Sequence, residues 1–248
     1  MIRSMKRALR LIRSLALLAN PNSWGPFVQA AEATKFDHAF SVSWSQGGED
    51  LALLSIFSQQ KKGTYLDVGA HHPSRFSVTR HLYKNGWHGV NVDANKGLVN
   101  EFEKTRIRDI NLCFAVGEQE QYEFTIFQEP AISTINAEWK DKFLSESNLV
   151  DRVEIVKGRR LREIYDDFFL DSAVDILAID AEGADFEVLK SLSFDSLSPD
   201  RYPKYLMLET PPPVAAAPAS PAVEYAIGFG YDPVVVLPMS TILKSSIK

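Results

Sequence analysis

The chain has 248 residues, 45% hydrophobic and 24% charged, with a formal net charge of -5. That length can bury one sizeable α/β core, while the negative balance excludes a general nucleic-acid binder, which needs a basic field to attract phosphates. A single cysteine, Cys113 in an apolar run, excludes a disulfide framework and a cysteine-based zinc site, and fits a reducing, cytoplasmic setting.

The first twenty residues differ from the rest. Arg3, Lys6, Arg7, Arg10 and Arg13 recur every three or four positions, with Ile2, Met5, Leu9, Ile12 and Ala16 on another helical face. Three readings stand: a loosely packed extension, a helix on an anionic membrane surface or a partner (residues 1–19), or a targeting segment. The apolar piece Ser14–Ala19 is far below the roughly 20 residues needed to span a bilayer. Residues 21–44 show no clear period, although Trp24, Phe27, Phe36, Phe40 and Trp44 call for burial. Residues 1–44 therefore read as a basic extension and lead-in, and 45–248 as one domain.

Ser45, Glu49 and Asp50 form an acidic helix start ahead of the apolar run Leu51–Phe57. Thr64–Val68 reads as a strand buried on both faces, running through Asp67 into Gly69, where the backbone can turn tightly. Pro73 and Ser74 predict a helix start, continuing from Arg75 to Tyr83. Trp87–Asn95 holds a second strand ending in Asp93, followed by a helix over Lys96–Lys104. Ile110–Val116 is a third strand, closed by Gly117. Alternation at Tyr122, Phe124 and Ile126 and at Val153 and Ile155 predicts an antiparallel hairpin or edge addition. Between them, Ser133–Phe143 reads as a loop or short helix able to cover a site. Arg159–Phe169 is helical in pattern, Val174–Asp180 a strand, Ala184–Leu192 a helix and Tyr205–Leu208 a strand ending in Glu209. Pro211–Pro221 is a stiff extended loop. Ala222–Gly228 is the last helix, and Val234–Leu237 with Thr241–Leu243 a closing antiparallel pair.

Strands ending in Asp67, Asp93, Asp180 and Glu209 would bring their carboxylates to one edge of a parallel sheet. Packing gives no reason to gather like charges, which repel at close range. A cationic ligand offsets them, and S-adenosylmethionine fits, with its sulfonium, its amino group and two ribose hydroxyl donors. An acid at the end of the second strand suits a ribose; the competing role for Asp93 is to cap the helix from Lys96.

The ordered set Ser45-Gln46-x-x-Glu49-Asp50, Asp67-Val68-Gly69-Ala70, Gly86-Trp87-x-Gly89-Val90-x-Val92-Asp93-Ala94 and Ile179-Asp180-Ala181-Glu182-Gly183-Ala184-Asp185 resembles the FkbM-type methyltransferases, over roughly residues 45–210. The resemblance implies a class I, Rossmann-like α/β sheet, mostly parallel, with an antiparallel closing strand and a small β insertion. It also implies S-adenosylmethionine as cofactor and O-methylation of a sugar, glycan or secondary metabolite. On this basis the cofactor would be bound by Glu49, Asp67, Gly69, Ala70, His71, Asp93, Ala94, Ala115 and Asp180. His71-His72-Pro73 departs from the glycine or small residue of many relatives.

A sugar hydroxyl is a poor nucleophile at neutral pH, so a general base helps. The candidates are Asp180, Glu182 and His72. For His72 the competing role is a turn residue satisfied by the backbone; for the two acids it is capping the helix from Ala184. No spacing demands a metal, although Asp180, Glu182 and a histidine are of suitable ligand type. Two other function classes stay open. A nicotinamide-dependent oxidoreductase would share the topology, but Asp67-x-Gly69 lacks the three-glycine fingerprint for a pyrophosphate. A non-catalytic scaffold docking on membranes through residues 1–19 would tolerate replacement of Asp93 and Asp180.

Overall fold

Residues buried on both sides of a strand demand cover on both sides, and β1 (Thr64–Val68), β7 (Ile176–Ile179) and β8 (Tyr205–Glu209) receive it in alternation. In the computed structural model, which describes residues 42–210 and 220–247, Leu66, Val68, Leu177, Ile179, Leu206 and Leu208 join one core. Tyr65, Ile176, Ala178 and Met207 join the other, on the opposite face. The first core is closed by α5 (Leu161–Phe168), α6 (Asp185–Lys190) and α7 (Pro221–Gly228). The second is closed by Leu53 and Phe57, in and just after α1 (Glu49–Ile56), and by Leu82 of α2 (Arg80–Lys84).

The sheet also contains β2 (His88–Asp93), β3 (Ile110–Cys113), β9 (Tyr231–Val236) and β10 (Ser240–Ser245), in the order β3-β2-β1-β7-β8-β10-β9. β1 pairs in parallel with both β2 and β7, and β7 in parallel with β8, while β10 runs antiparallel to β8 and β9. This is the mostly parallel, Rossmann-like sheet with an antiparallel closing pair that the sequence predicts. Its strand order reverses between β1 and β7, so the crevice beyond their carboxyl ends is the place a ligand enters.

A second sheet, β4-β6-β5, stands apart: β5 (Gln121–Phe127) pairs antiparallel with β6 (Val150–Arg159), and β4 (Ala115–Val116) pairs with β6 in parallel. This is the predicted β insertion, and α4 (Ala137–Ser145) lies between its strands in sequence. α3 (Lys96–Thr105) links β2 to β3.

Two expectations are corrected. The helix expected from Pro73 is confined to Arg80–Lys84. Residues 73–79 instead form an irregular loop, interrupted by Phe76 at φ 58°, because their polar groups are taken by tertiary partners. Arg106, 1% exposed, donates to the Pro73 carbonyl (3.0 Å), Ser77 Oγ (2.5 Å) and Thr79 Oγ1 (2.9 Å). The third strand is broken at Phe114, where the N–H donates to the Asp93 carbonyl and the chain leaves the main sheet for β6.

The readings for Trp24, Phe27, Phe36, Phe40, the basic segment 1–19 and residues 211–219 of the proline run lie outside the described residues. Among the described residues no helix is long and apolar enough to cross a membrane.

Candidate active site

Beyond the carboxyl ends of β1, β2, β7 and β8 lies a cavity of about 960 Å³, roofed on one side by the insertion. Of the residues named from the sequence, Glu49, Gly69, His71, Asp93, Ala94, Ala115, Asp180 and Glu182 line it. Asp67, Ala70 and His72 do not.

Gly69 is at φ +77°, and a Cβ there would lie 1.6 Å from the Asp180 carbonyl oxygen. The turn after β1 and the end of β7 are therefore in direct backbone contact, which only glycine permits.

Asp93 does not cap the following helix; Asn95 does, its side chain accepting from the Gly97 N–H. The Asp93 carboxylate instead accepts from the His71 N–H (2.8 Å) and the Asn95 N–H (2.7 Å), joining the turns after β1 and β2. Burial raises its pKa to about 6 against the pull of those two bonds.

Asp67 shares the face of Tyr65, toward α2, and accepts from the Thr79 hydroxyl at 2.8 Å. Burial raises it too to about 6. Its place is behind the cavity wall, holding the loop that carries His71.

His72 Nδ1 accepts from the Ser74 and Arg75 N–H groups at 3.0 and 2.9 Å, the backbone-satisfied turn role. Burial lowers the pKa of His72, and brings His71 to about 4 with help from the Arg75 charge, so both rings are neutral at pH 7.

The far wall is acidic. Asp180 opens onto the cavity, yet the surrounding protein desolvates it and raises its pKa, and Glu182, Asp185, Asp67 and Glu49 raise it further. Desolvation likewise raises Glu182, Asp185 and Glu209, and the charges of Asp180, Asp185 and Glu182 raise Glu209 further. Neither Asp180 nor Glu182 caps α6, whose N-cap position is Ala184 without a side-chain bond. Asp185 Oδ1 accepts the Ala181 N–H instead. Glu49 is held by the Gly47 N–H (2.8 Å) and Ser240 Oγ (3.2 Å). Among the described residues no group of three or more His, Cys, Asp or Glu is arranged to hold a metal ion.

Such a wall suits a cationic ligand, and the residues present fit S-adenosylmethionine. A carboxylate has about four acceptor directions, so Asp93 keeps capacity for ribose hydroxyls after its two backbone bonds. Sequence reading missed several contributors: Asn136 and Lys142 from the insertion, Met239 from the β9–β10 turn and Ser240 at the start of β10 also line the cavity. None carries a local pattern that sets it apart from ordinary loop and helix residues.

Residues 67–202, more than half of the chain, match the model of the methyltransferase FkbM domain. No curated protein matches the chain. Among solved structures it is similar to a TehB-like SAM-dependent methyltransferase from Corynebacterium glutamicum, at 10% identity and a TM-score of 0.40, covering 92% of this chain and 100% of that one. A candidate methyltransferase, yhhF, from Escherichia coli matches at 10% identity and a TM-score of 0.40, covering 86% and 92%. A candidate O-methyltransferase from Klebsiella pneumoniae matches at 12% and 0.39, covering 84% and 82%.

Proposed function

The chain belongs to the FkbM methyltransferase family, and we propose that it is an S-adenosylmethionine-dependent O-methyltransferase acting on a hydroxyl of a sugar, glycan or secondary metabolite. One observation carries this reading: Asp93, Asp180, Glu182 and Glu49 converge with the Gly69 turn on a single cavity at the switch point of the sheet. When bound, S-adenosylmethionine supplies a methyl group activated by its sulfonium charge.

Asp93 would accept from the ribose hydroxyls, and the bare Gly69 turn would let the ligand lie against backbone. Repulsion within the acidic wall is relieved by the ligand's positive charge. An acceptor hydroxyl would have to be held in the same cavity, within reach of Asp180 and Glu182, to receive the methyl group. Its proton passes to a carboxylate oxygen of Asp180 or Glu182, whose raised pKa values bring them toward the range of an effective base at neutral pH. His72 takes no part, since its Nδ1 is occupied by the backbone. The insertion face of the cavity, with Trp139, Phe143 and Asn136, offers apolar and amide groups suited to a polyol ring, whose own hydroxyls donate to the acidic wall.

The test is calorimetric titration with S-adenosylmethionine, with NAD as the control ligand. Binding of the former alone is expected; binding of NAD, or of neither, overturns the reading. Asp180→Asn should then lower the transfer of labelled methyl groups to a panel of sugars and glycolipids by more than it lowers cofactor affinity. Equal losses would make Asp180 a cofactor ligand rather than the base.

A further inference from the structure

The turn after β7 is not a relaxed one. Glu182 sits at φ 46° and Gly183 at φ 89°, two consecutive left-handed residues, the first with a side chain. Non-glycine residues are held there only when their surroundings impose it.

Two side chains of the insertion do so. Thr134 Oγ1 donates to the Glu182 carbonyl at 2.8 Å, and Asn136 Nδ2 donates to the Gly183 carbonyl at 2.9 Å, across 48 and 47 residues of chain. Both are themselves anchored. Thr134, 2% exposed, exchanges two backbone bonds with Thr125 of β5 (2.9 and 3.1 Å). Asn136 Oδ1 caps α4, accepting from the Glu138 and Trp139 N–H groups. The Trp139 indole covers Gly183 so closely that a Cβ there would lie 2.2 Å from its ring. On the other side, the carbonyl of Asp180 bears on Gly69.

We propose that Thr134 and Asn136 are positioning residues, which grip the Glu182–Gly183 turn from the insertion and so hold Asp180 and Glu182 in register with the Gly69 turn for cofactor binding. The proposal rests on the S-adenosylmethionine reading above. It makes the insertion part of the site's geometry as well as its cover, and assigns a role to Thr134, which does not line the cavity.

Three variants separate the clamp from its neighbours. Thr134→Val removes the hydroxyl at nearly constant shape, which frees the Glu182 carbonyl and also the Asn136 N–H that donates to that hydroxyl (2.8 Å), and Thr134→Ser restores both bonds. Asn136→Ser keeps a capping hydroxyl for α4 but is too short to reach the Gly183 carbonyl. In the cofactor-free protein, amide exchange across 181–184 should quicken about tenfold in Thr134→Val and Asn136→Ser while exchange in α4 and β1 stays unchanged. Affinity for S-adenosylmethionine should fall about five- to tenfold in both variants and recover in Thr134→Ser, as expected for lost preorganisation. Unchanged exchange in both variants overturns the clamp. Faster exchange with undiminished affinity overturns its role in cofactor binding. A wild-type protein that binds no S-adenosylmethionine overturns the cofactor reading and that role together, while the exchange data still decide whether the clamp exists.

Discussion

Two of the roughly four acceptor directions of the Asp93 carboxylate are spent on the N–H groups of His71 and Asn95. Replacing it by alanine would therefore do more than weaken a ligand. Each N–H left without a partner costs about 1–3 kcal/mol, and in a chain of this size each kcal/mol lowers Tm by about 2–4 °C. Asp93→Ala should lower both Tm and S-adenosylmethionine affinity, whereas Asp93→Asn, which keeps one acceptor oxygen but turns its NH2 toward the other N–H, should recover only part of the stability and lose about tenfold or more in affinity. Thermal melts beside calorimetry check this; equal Tm losses would mean that the two turns are held only when both oxygens accept. Gly69 is a second such residue. Since a Cβ there would meet backbone at 1.6 Å, Gly69→Ala should destabilise by more than about 2 kcal/mol in urea unfolding. The need for a glycine at this turn is legible in the sequence, but its contact with the Asp180 carbonyl is not.

Among the elements, the loop 73–79 shows where local pattern and tertiary demand part. Pro73 and Ser74 resemble a helix start, yet Arg106, Arg80 and His72 claim the loop's polar groups and a left-handed Phe76 interrupts it. Arg106 also faces the buried Asp109 at 3.7 Å, and Asp109 accepts from Tyr65 Oη, the Gly89 N–H and Asn91 Nδ2. Arg106→Met should cost about 3–5 kcal/mol, the range for breaking a buried charge pair. It should also weaken cofactor binding, because the loop carrying His71 loses its anchor. Denaturant midpoints with and without S-adenosylmethionine test both parts; a variant as stable as the wild type would show that the loop holds itself. The other elements are largely legible, because their apolar periods coincide with the burial they meet. The alternation of Tyr122, Phe124 and Ile126 is realised as β5, where Phe124 and Ile126 are buried; that of Val153 and Ile155 is realised as β6 although both side chains are exposed, so there the period marks a strand but not a core face.

Across the whole molecule, the gathered carboxylates make stability and binding depend on pH with opposite signs. Asp67 and Asp93 are each raised from the usual carboxylate value to about 6, and Asp180, Glu182 and Glu209 are raised as well. His71 and His72, lowered by burial, act in the opposite sense, but the raised carboxylates outnumber them, so the folded cofactor-free protein holds more protons than the unfolded chain between pH 4 and 6 and into neutral pH. Its stability falls as pH rises through that window, because ionised groups must then be kept in a desolvated site. A cationic ligand favours the ionised forms, so its binding releases protons and its affinity rises over the same window. Tm of the cofactor-free protein should be higher at pH 5 than at pH 7.5, and S-adenosylmethionine should bind more tightly at pH 7.5. Titration in buffers of different ionisation enthalpy should show net proton release; proton uptake would contradict the charge argument.

By itself the sequence determines the doubly covered sheet, the acid and glycine at the ends of its strands, the β insertion and the family, because each of these is written in a local period or a short ordered motif. Only the tertiary structure decides which way those acids serve. Strand alternation and the packing of α2 turn Asp67 away from the cavity and onto Thr79. Two backbone N–H groups take up His72. Chain returning from 48 residues away brings Thr134 to the Glu182 carbonyl. A local pattern records which residues want burial or a turn, whereas the partner of a hydrogen bond or a charge is set by segments far apart in sequence that meet only when the core closes.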